Sequence, residues 1–564
     1  MRPATVSRLT MAVAALVCAL LALHPTTAQA ASYTKISGGG STWSSNALDQ
    51  WRRNVAANSG MTVNYSPVGS SVGREQFKNG TADFAVSEIP YGLTESGMRD
   101  APPKRGYAYM PIVAGGTAFM YNLRIGGRRV TNLRLSGEVI TKIFTGTLTM
   151  WNAPEIRADN PGLVLPARRI IPVVRSDGSG TTAQLTTWLA KEHGALWDAY
   201  CRRAGRSTPC GMTSYFPVVP GSSTIAKSGS LGVSGYTKQG HAEGAITYVE
   251  YSYAIKTHFP VAKVLNASGY YVEPTASSVA VALMKARINE DKNSENYLTQ
   301  ILDGVYRSAD RRTYPLSSYS YMIVPTAAES PFTAAKGRTL GAFANYFLCE
   351  GQQQAEELGY SPLPKNLVEA GFTQVRRIPG APTAAVDIKS CRNPTFSADG
   401  SNTLARNAPY PQACDKRGTT QCADGTAGAK ERTRVNAGAN GGGSGGGSTS
   451  GGTGGGAGSA GGAGAAGASG GSTGTDGASG GTGGGAASGA VDPDTGERID
   501  GSAGAGTGDA SVVGNPVTLA AGGSPGLRGV LMALSAVLLV GVVVGPPLTA
   551  RALAARSRRK EGLR

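Results

Sequence analysis

The sequence predicts an α/β fold with parallel sheets, divided into two lobes. Short apolar segments with strand patterns alternate with longer segments whose apolar residues recur at helical spacing, which is typical of parallel strands connected by helices. The stretch of ordinary globular composition, 31–377, is long enough to form two lobes. The remainder of the 564-residue chain is different in kind, because most of the 80 glycines lie in it.

Residues 1–30 have the pattern of a secretory signal peptide. Arg2 and Arg8 precede a short apolar run, and "AQA" at 28–30 matches the small-x-small pattern of a cleavage site. We therefore expect the rest of the chain to be exported.

Strand and helix patterns follow one another within the exported module. The segments "MTVNYSPV" (61–68), "DFAVSE" (83–88) and "AITYVEY" (245–251) predict strands. The segments "STWSSNALDQWRRNVAAN" (41–58) and "GSGTTAQLTTWLAKEHGALW" (178–197) place apolar residues at helical spacing and predict helices.

Three strand–helix junctions share a chemistry that suits a small oxyanion. "GGGSTW" (38–43), "VGSSVG" (68–73) and "SDGSGTT" (176–182) each place glycines and hydroxyl residues where a helix begins. Glycine permits close approach to the backbone, the first helical turn has free N–H groups, and hydroxyls add donors. Arg175 adds a full charge with a fork of donors. Asp177 either orients that guanidinium or caps the turn.

Other functional classes find less support. "GSSVG" (69–73) matches the Gly-x-Ser-x-Gly elbow of serine hydrolases with Ser71 at its centre, but the pattern is short and no histidine has a distinctive setting. The sequence has no Gly-x-x-x-x-Gly-Lys-Ser/Thr loop for nucleotide hydrolysis. It also has no Cys-x-x-Cys or His-x-x-x-His spacing, so neither a metal nor a cofactor is predicted. Its basic residues are scattered, which argues against nucleic-acid binding.

The cysteines predict disulfides. Of seven cysteines, Cys18 lies in the signal peptide, which leaves six, an even number expected of an exported chain. Cys201 with Cys210 and Cys414 with Cys422 are the local pairings that we expect, although spacing alone does not determine connectivity. We assign 378–436 to a cysteine-containing extension.

Beyond this extension, the sequence predicts a flexible tether and a membrane anchor. Residues 437–525 are mostly Gly, Ser, Ala and Thr, with too few apolar groups to form a core. Residues 529–550 are apolar and long enough to cross a bilayer as a helix. The tail, 551–564, is strongly basic and is expected in the cytoplasm, which places the binding module outside the cell.

Taken together, several motifs in a constant order resemble the extracytoplasmic phosphate-binding proteins of high-affinity phosphate ABC transporters, which have the periplasmic-binding-protein fold. The resemblance covers about 32–377, and its most specific element is the run Arg-x-Asp-Gly-Ser-Gly-Thr. The motifs that carry it are "GGGSTW", "YSPVGSSVGREQFKNGTADFAVSE", "PGLVLPARRIIPVVRSDGSGTT", "GAITYVEYSYA" and "LGYSPLPKNLVE".

The resemblance implies two α/β lobes with the ligand in the cleft between them. Lobe one is expected to combine 32–113 with 313–377, and lobe two to comprise 114–312. The implied function is capture of inorganic phosphate outside the cell and its delivery to the membrane permease of an ABC transporter, without enzymatic activity. Two alternatives stay open: an extracellular serine hydrolase that uses Ser71 on a phosphorylated or acyl substrate, and a cell-surface interaction protein that has lost transport.

The resemblance also implies a set of phosphate-binding residues. Their N–H and hydroxyl groups would donate to the ligand, and one carboxylate would accept the proton that phosphate carries and sulfate lacks. The set is Thr42, Trp43, Ser70, Glu88, Arg175, Ser179, Gly180 and Thr181.

Two positions depart from the family pattern. Trp43 stands where phenylalanine is more common, and Glu88 stands where the family has aspartate. Glutamate keeps the charge but reaches about one bond further. The backbone could shift to preserve phosphate binding, which we favour. Alternatively, the pocket could accept a larger oxyanion or a phosphate ester, or Glu88 could point away from a weak site.

Overall fold

The computed structural model describes residues 33–433, apart from 96–97, 295, 385, 389 and 398. The predicted signal peptide, the end of the extension, the tether, the membrane helix at 529–550 and the basic tail lie outside the described residues. Among the residues that the structure does describe, no helix is both long and apolar enough to span a bilayer.

The described chain alternates strands and helices. The strands are β1 (Ile36–Gly40), β2 (Val63–Ser66), β3 (Phe84–Ser87), β4 (Thr94–Glu95), β5 (Met98–Arg99), β6 (Tyr107–Tyr121), β7 (Arg124–Ile125), β8 (Arg128–Arg129), β9 (Arg134–Leu135), β10 (Ile171–Arg175), β11 (Ile225–Lys227), β12 (Ala245–Glu250), β13 (Val261–Leu265), β14 (Tyr271–Val272), β15 (Arg287–Ile288), β16 (Gln300–Ile301) and β17 (Ser317–Pro325).

The α-helices fall between these strands and continue after them. They are α1 (Ser45–Ser59), α2 (Ser70–Lys78), α3 (Gly137–Phe144), α4 (Pro154–Asp159), α5 (Gly180–Glu192), α6 (Gly194–Arg203), α7 (Gly229–Thr237), α8 (Tyr251–Lys256), α9 (Ala276–Leu283), α10 (Asp303–Tyr306), α11 (Ala334–Leu348), α12 (Lys365–Val375) and α13 (Thr403–Arg406).

The main strands form one curled sheet in the order β11-β10-β12-β6-β17-β3-β1-β2, with β13, β14 and β9 joined beside this path. The pairs of β1 with β2 and β3, and of β10 with β11 and β12, are parallel, as the strand–helix alternation predicts. In contrast, β6 and β17 run antiparallel to their neighbours, so the sheet is mixed rather than parallel throughout. The α/β, two-lobed fold is confirmed, with this correction to the strand directions.

Strand β6 joins two groups of strands, β1 to β3 with β17 on one side and β10 to β12 on the other. Its first part, up to Gly116, pairs with β17, and the remainder from Thr117 pairs with β12. The two glycines in its middle permit close packing on both faces. A Cβ on Gly115 would lie 2.8 Å from the Trp43 ring, and one on Gly116 would lie 2.5 Å from Pro274. The lobe boundaries that we expect fall near this strand and stay a prediction.

The carboxyl ends of two sets of parallel strands meet near the middle of β6. The strands end where a loop leads into a helix: β2 leads to α2, β10 to α5 and β11 to α7. Strands β1, β2 and β3 run in the same direction as β6, whereas β10, β11 and β12 run opposite to it. The two sets therefore point toward each other, and the helix N-termini that follow them lie close together at the candidate site.

Three disulfides brace the part of the chain that the structure describes. The local pairs Cys201–Cys210 and Cys414–Cys422 are confirmed. The third, Cys349–Cys391, joins the end of α11 to the extension. From there the extension folds back onto the module: the Asn393 side chain donates to the Leu363 carbonyl, and the Arg134 side chain donates to the carbonyls of Cys414 and Thr419.

We expect the double variant Cys349→Ser/Cys391→Ser to lower the free energy of unfolding by roughly 2–4 kcal/mol. This bridge closes a separation of 42 residues, and a longer closed loop restricts the unfolded chain more strongly. Denaturant unfolding measures the change. The matched control is Cys201→Ser/Cys210→Ser, whose separation of 9 residues predicts a smaller loss. Equal losses would contradict the argument from loop length.

Candidate functional site

Four helix beginnings converge at the carboxyl ends of the strands. The Ser70 Oγ, in the first turn of α2, accepts a hydrogen bond of 3.1 Å from the backbone N–H of Gly180, which begins α5. The hydroxyls of Thr42, just before α1, and Ser230, at the start of α7, share a hydrogen bond of 2.8 Å. The three junctions identified in the sequence therefore meet, and a fourth joins them.

The turn before α2 requires glycine. Gly69 has φ +92°, in the region that L side chains rarely adopt. A Cβ at this position would lie 2.7 Å from Asp177 Oδ2 and 3.0 Å from the Gly178 carbonyl oxygen. The adjacent Ser71 N–H donates to that same carbonyl over 3.1 Å. The second and third junctions are therefore in direct backbone contact.

The turn before α5 presents donors to the same place. Ser179 caps the helix, because its Oγ accepts from the Thr182 N–H over 3.2 Å. Thr181 is 1% exposed, and its Oγ1 has no hydrogen-bond partner within the part of the chain that the structure describes. Buried hydroxyls are normally paired, so an unpaired one in a first helical turn is a candidate ligand group.

Arg175 is buried at the end of β10 and held in a fixed orientation. Its Nε donates to Asp177 Oδ1 over 2.7 Å, its Nη2 donates to Asp177 Oδ2, and its Nη1 donates to Ser230 Oγ over 3.4 Å. Three of the five guanidinium N–H donors are thus engaged, and two are left for a ligand.

Asp177 has the first of the two roles considered from the sequence, because the cap of its own turn is Ser179. It orients the Arg175 guanidinium, and its Oδ1 also accepts from the Gly229 N–H at the start of α7, over 2.9 Å. Burial acts to raise the pKa of Asp177, but the Arg175 guanidinium and the Gly229 N–H outweigh it, so the pKa lies below its ordinary value. Asp177 therefore stays charged and neutralises Arg175.

Glu88 points into this cluster from the end of β3. It is fully buried, its Oε2 accepts from Ser70 Oγ over 3.0 Å, and its Oε1 accepts from Ser320 Oγ. Burial raises the pKa of Glu88 above its ordinary value, although the hydroxyls of Ser320, Ser41 and Ser70 and the charge of Arg175 act to lower it. The methylene group that glutamate has in addition to aspartate does not turn the Glu88 carboxyl away from the other site residues.

Thr42 and Trp43 lie at the first junction, before α1. Besides its contact with Ser230, Thr42 has a backbone carbonyl that accepts from the Tyr253 hydroxyl over 2.5 Å. Trp43 is 1% exposed, and its ring packs edge-on against Tyr360, with centroids 5.7 Å apart. Its backbone N–H, expected from the resemblance to face the ligand, donates to Ser41 Oγ over 3.0 Å.

Three serines of this cluster were missed from the sequence. Ser41 lies within the first junction, and Ser230 follows Gly229 in "KSGSLG", which repeats the pattern of glycine and hydroxyls at a helix start and could have been recognised. Ser320 lies in the run "SSYSYMIVP" of β17, where no local signal distinguishes it from its neighbours. Only the pairing of β17 with β3 places it beside Glu88.

We expect Gly180→Ala to weaken binding of an oxyanion by at least about tenfold. A Cβ at this position would lie 1.9 Å from Glu88 Oε2 and 2.7 Å from Ser70 Oγ, so these side chains must move apart, and small misplacements in a binding site have large effects. Calorimetric titration measures the loss. The matched control is Gly194→Ala, also at the first residue of a helix, where no atom lies within 4 Å of the new Cβ. An unchanged affinity in Gly180→Ala would contradict this geometry.

Comparisons with known proteins show the family of this chain. Residues 25–350 match a family model described as the PBP superfamily domain. The phosphate-binding protein PstS of Xylella fastidiosa is 31% identical over 345 residues, which cover 61% of this chain and 86% of that protein. The phosphate-binding protein PstS3 of Mycobacterium bovis is 30% identical over 320 residues, 57% of this chain and 80% of its own length.

One solved structure covers a similar share of this chain. The high affinity periplasmic phosphate-binding protein PfluDING, bound with phosphate, has 19% sequence identity and a TM-score of 0.45, with 62% of this chain and 100% of that chain covered. The family match spans more than half of the chain, and the PstS relatives are covered over most of their length. The chain therefore belongs to the PBP superfamily and, within it, to the family of the PstS phosphate-binding proteins.

Proposed function

We propose that this protein captures inorganic phosphate outside the cell and delivers it to the permease of a phosphate ABC transporter. The observation that carries the proposal is the convergence of donors from separate helix beginnings around Arg175 and one buried carboxyl, Glu88. Helix N-termini, hydroxyls and a guanidinium fork all favour a tetrahedral oxyanion. The membership of the PstS family points to the same ligand.

The buried carboxyl favours phosphate over sulfate. Phosphate near neutral pH carries a proton that a carboxylate can accept, whereas sulfate has none. Facing sulfate, the Glu88 carboxylate would be unpaired and would repel the anion, and a buried polar group without its partner is costly. Because Glu88 points into the site, the reading in which the longer side chain preserves phosphate binding has the stronger support.

The site residues that we assign to phosphate follow from the contacts and from the family resemblance. They are Thr42 and Trp43 before α1, Ser70 on α2, Glu88 after β3, and Arg175 and the turn before α5. Closure of the lobe formed by 32–113 and 313–377 onto the lobe formed by 114–312 would bring these groups around the ligand, by a hinge motion of the kind known for binding proteins. The turn before α5 contributes Ser179, Gly180 and Thr181.

We further propose that the module is tethered to the membrane. The composition of 437–525, the apolar run 529–550 and the basic tail 551–564 support a flexible tether, a single membrane-spanning helix and a cytoplasmic end. Because the chain is folded onto the module as far as Thr433, the tether would begin after that residue. Tethering would keep the binding module near its permease.

The serine hydrolase finds less support than phosphate binding. The Ser71 hydroxyl lies 3.2 Å from Ser214 Oγ, whereas a serine nucleophile needs a neighbouring base. The rings of His193 and His241 pack against Trp188 and Tyr236, respectively. The family membership also favours binding over hydrolysis.

The deciding experiment is calorimetric titration of the purified protein with phosphate, with sulfate as competitor. We expect heat of binding with phosphate, weak competition by sulfate and no release of product on incubation with phosphate esters. The absence of binding at millimolar phosphate would overturn the proposal. Binding without any effect of gene deletion on cellular phosphate uptake would instead favour the interaction protein that has lost transport.

A further inference from the structure

Two hydroxyls hold the carboxyl of Glu88. Ser320 Oγ donates to Oε1, and Ser70 Oγ donates to Oε2 over 3.0 Å. These donors come from β17 and α2, which are far apart in sequence. The carboxyl is therefore fixed at both of its oxygens.

The hydrogen bonds that the Glu88 carboxyl already accepts limit how many it can accept from a ligand. An ionised carboxylate accepts about four hydrogen bonds, two at each oxygen. Serine hydroxyls occupy one position at each oxygen. The carboxylate therefore keeps room to accept a hydrogen bond from an anion that carries a proton, as phosphate does near neutral pH.

The hydroxyl of Ser320 is held by the sheet rather than by a loop. Ser320 is fully buried in β17, and the next residue, Tyr321, pairs with Ser87 of β3, directly before Glu88. The Tyr321 hydroxyl also donates to the Glu88 backbone carbonyl, over 3.2 Å. The backbone pairing thus determines where Ser320 Oγ meets Glu88 Oε1.

A glutamate needs such a contact more than an aspartate would. Its side chain has one more rotatable bond, so the carboxyl has more orientations available and loses more rotamer freedom when it is fixed. On the other side, the space for Oε2 exists because residue 180 has no side chain: a Cβ on Gly180 would lie 1.9 Å from this oxygen.

We propose that Ser320 is a specificity-determining positioning residue, which holds the longer carboxylate of Glu88 in the orientation that accepts the ligand's proton. The inference rests on the proposed phosphate binding and deepens it. Ser320 acts through Glu88, so its removal should affect the choice between protonated and unprotonated oxyanions more than it affects binding itself.

The test compares Ser320→Ala with Ser318→Ala. Ser318 is the matched control because it lies two residues away on the same strand, is 2% exposed, and has an Oγ without a hydrogen-bond partner among the described residues. Each purified protein is titrated with phosphate and with sulfate as competitor, over a range of pH. For Ser320→Ala we expect the phosphate-to-sulfate affinity ratio to fall about tenfold, as is typical of losing a hydrogen bond to a charged group. Ser318→Ala should keep the wild-type ratio.

A second pair of variants covers the case in which Ser320→Ala does not fold. Threonine and valine have the same shape and both suit a strand, so Ser320→Thr and Ser320→Val differ only in the hydroxyl. We expect the threonine variant to retain the wild-type ratio and pH profile and the valine variant to lose them.

The outcomes separate this inference from the proposed function. A wild-type protein that does not bind phosphate would refute the function itself. A wild-type protein that binds phosphate, together with unchanged selectivity in Ser320→Ala or in Ser320→Val, would overturn the role of Ser320 alone. An equal loss of selectivity in Ser318→Ala would also overturn it, because the effect would then belong to the strand rather than to the hydroxyl.

Discussion

Replacement of Arg175 by alanine is expected to remove most of the affinity for phosphate. The change removes the two guanidinium donors left for the ligand and leaves the Asp177 carboxylate without its partner, close to the anion. Truncation of one member of a buried, hydrogen-bonded charge pair costs about 2–5 kcal/mol, which corresponds to roughly 30-fold to several thousand-fold in affinity. Calorimetric titration measures the loss. Arg128→Ala, at an exposed position, serves as the control and should bind as the wild type does.

A double variant separates the loss of the guanidinium donors from the effect of the unpaired Asp177 carboxylate. In Arg175→Ala/Asp177→Asn, the unpaired negative charge is removed together with the guanidinium. We expect this protein to recover part of the affinity that Arg175→Ala loses, because only the missing donors still weaken binding. Titration curves of Arg175→Ala that match the wild type would show that the guanidinium does not contact the ligand.

Replacement of Glu88 by glutamine is expected to weaken the discrimination against sulfate. The amide has nearly the same shape, carries no charge and can donate a hydrogen bond, so sulfate no longer faces an unpaired acceptor. Relief of that penalty is about 1–3 kcal/mol, or roughly 5-fold to 150-fold in competition by sulfate. Phosphate affinity should change less. The control is Glu290→Gln at an exposed position.

The pH dependence of sulfate competition gives an independent check. Burial raises the pKa of Glu88, opposed by the hydroxyls of Ser320, Ser41 and Ser70 and by the charge of Arg175. Tyr321, whose hydroxyl donates to the Glu88 backbone carbonyl, stays neutral because burial raises its pKa, and burial likewise raises the pKa of Tyr65.

With Glu88 as the proton acceptor, sulfate would require the protonated form of Glu88, and its binding would take up a proton. Competition by sulfate should therefore strengthen as the pH falls through the raised pKa of Glu88, and weaken above it. Glu88→Gln should lose this pH dependence. A competition curve that is flat with pH in the wild type would show that Glu88 is not the acceptor.

Much of the site could be predicted because its chemistry is local. Glycine and hydroxyl residues at a strand–helix junction specify a tight turn and a helix beginning with free donors, and these features need only a few consecutive residues. Arg175 and Asp177 are two positions apart, so their pairing is also accessible from the sequence. The same locality explains why the disulfides that span 9 and 8 residues were predicted.

Contacts between distant segments could not be predicted in this way. Glu88 and Ser320 are separated by 232 positions, and Thr42 and Ser230 by 188. Their contacts depend on the order and register of strands in the sheet, which no short pattern encodes. The pairing of Cys349 with Cys391 likewise depends on how the extension packs on α11.

The sequence by itself determined the α/β class and the three helix beginnings rich in glycine and hydroxyl residues, because strand and helix periodicity, turn chemistry and helix capping act between near neighbours. Only the tertiary structure decided the antiparallel placement of β6 and β17, the contact between Gly229 and Asp177, and the position of the Ser320 hydroxyl beside Glu88. The physical reason is that these features arise from packing and backbone pairing between segments far apart in the chain.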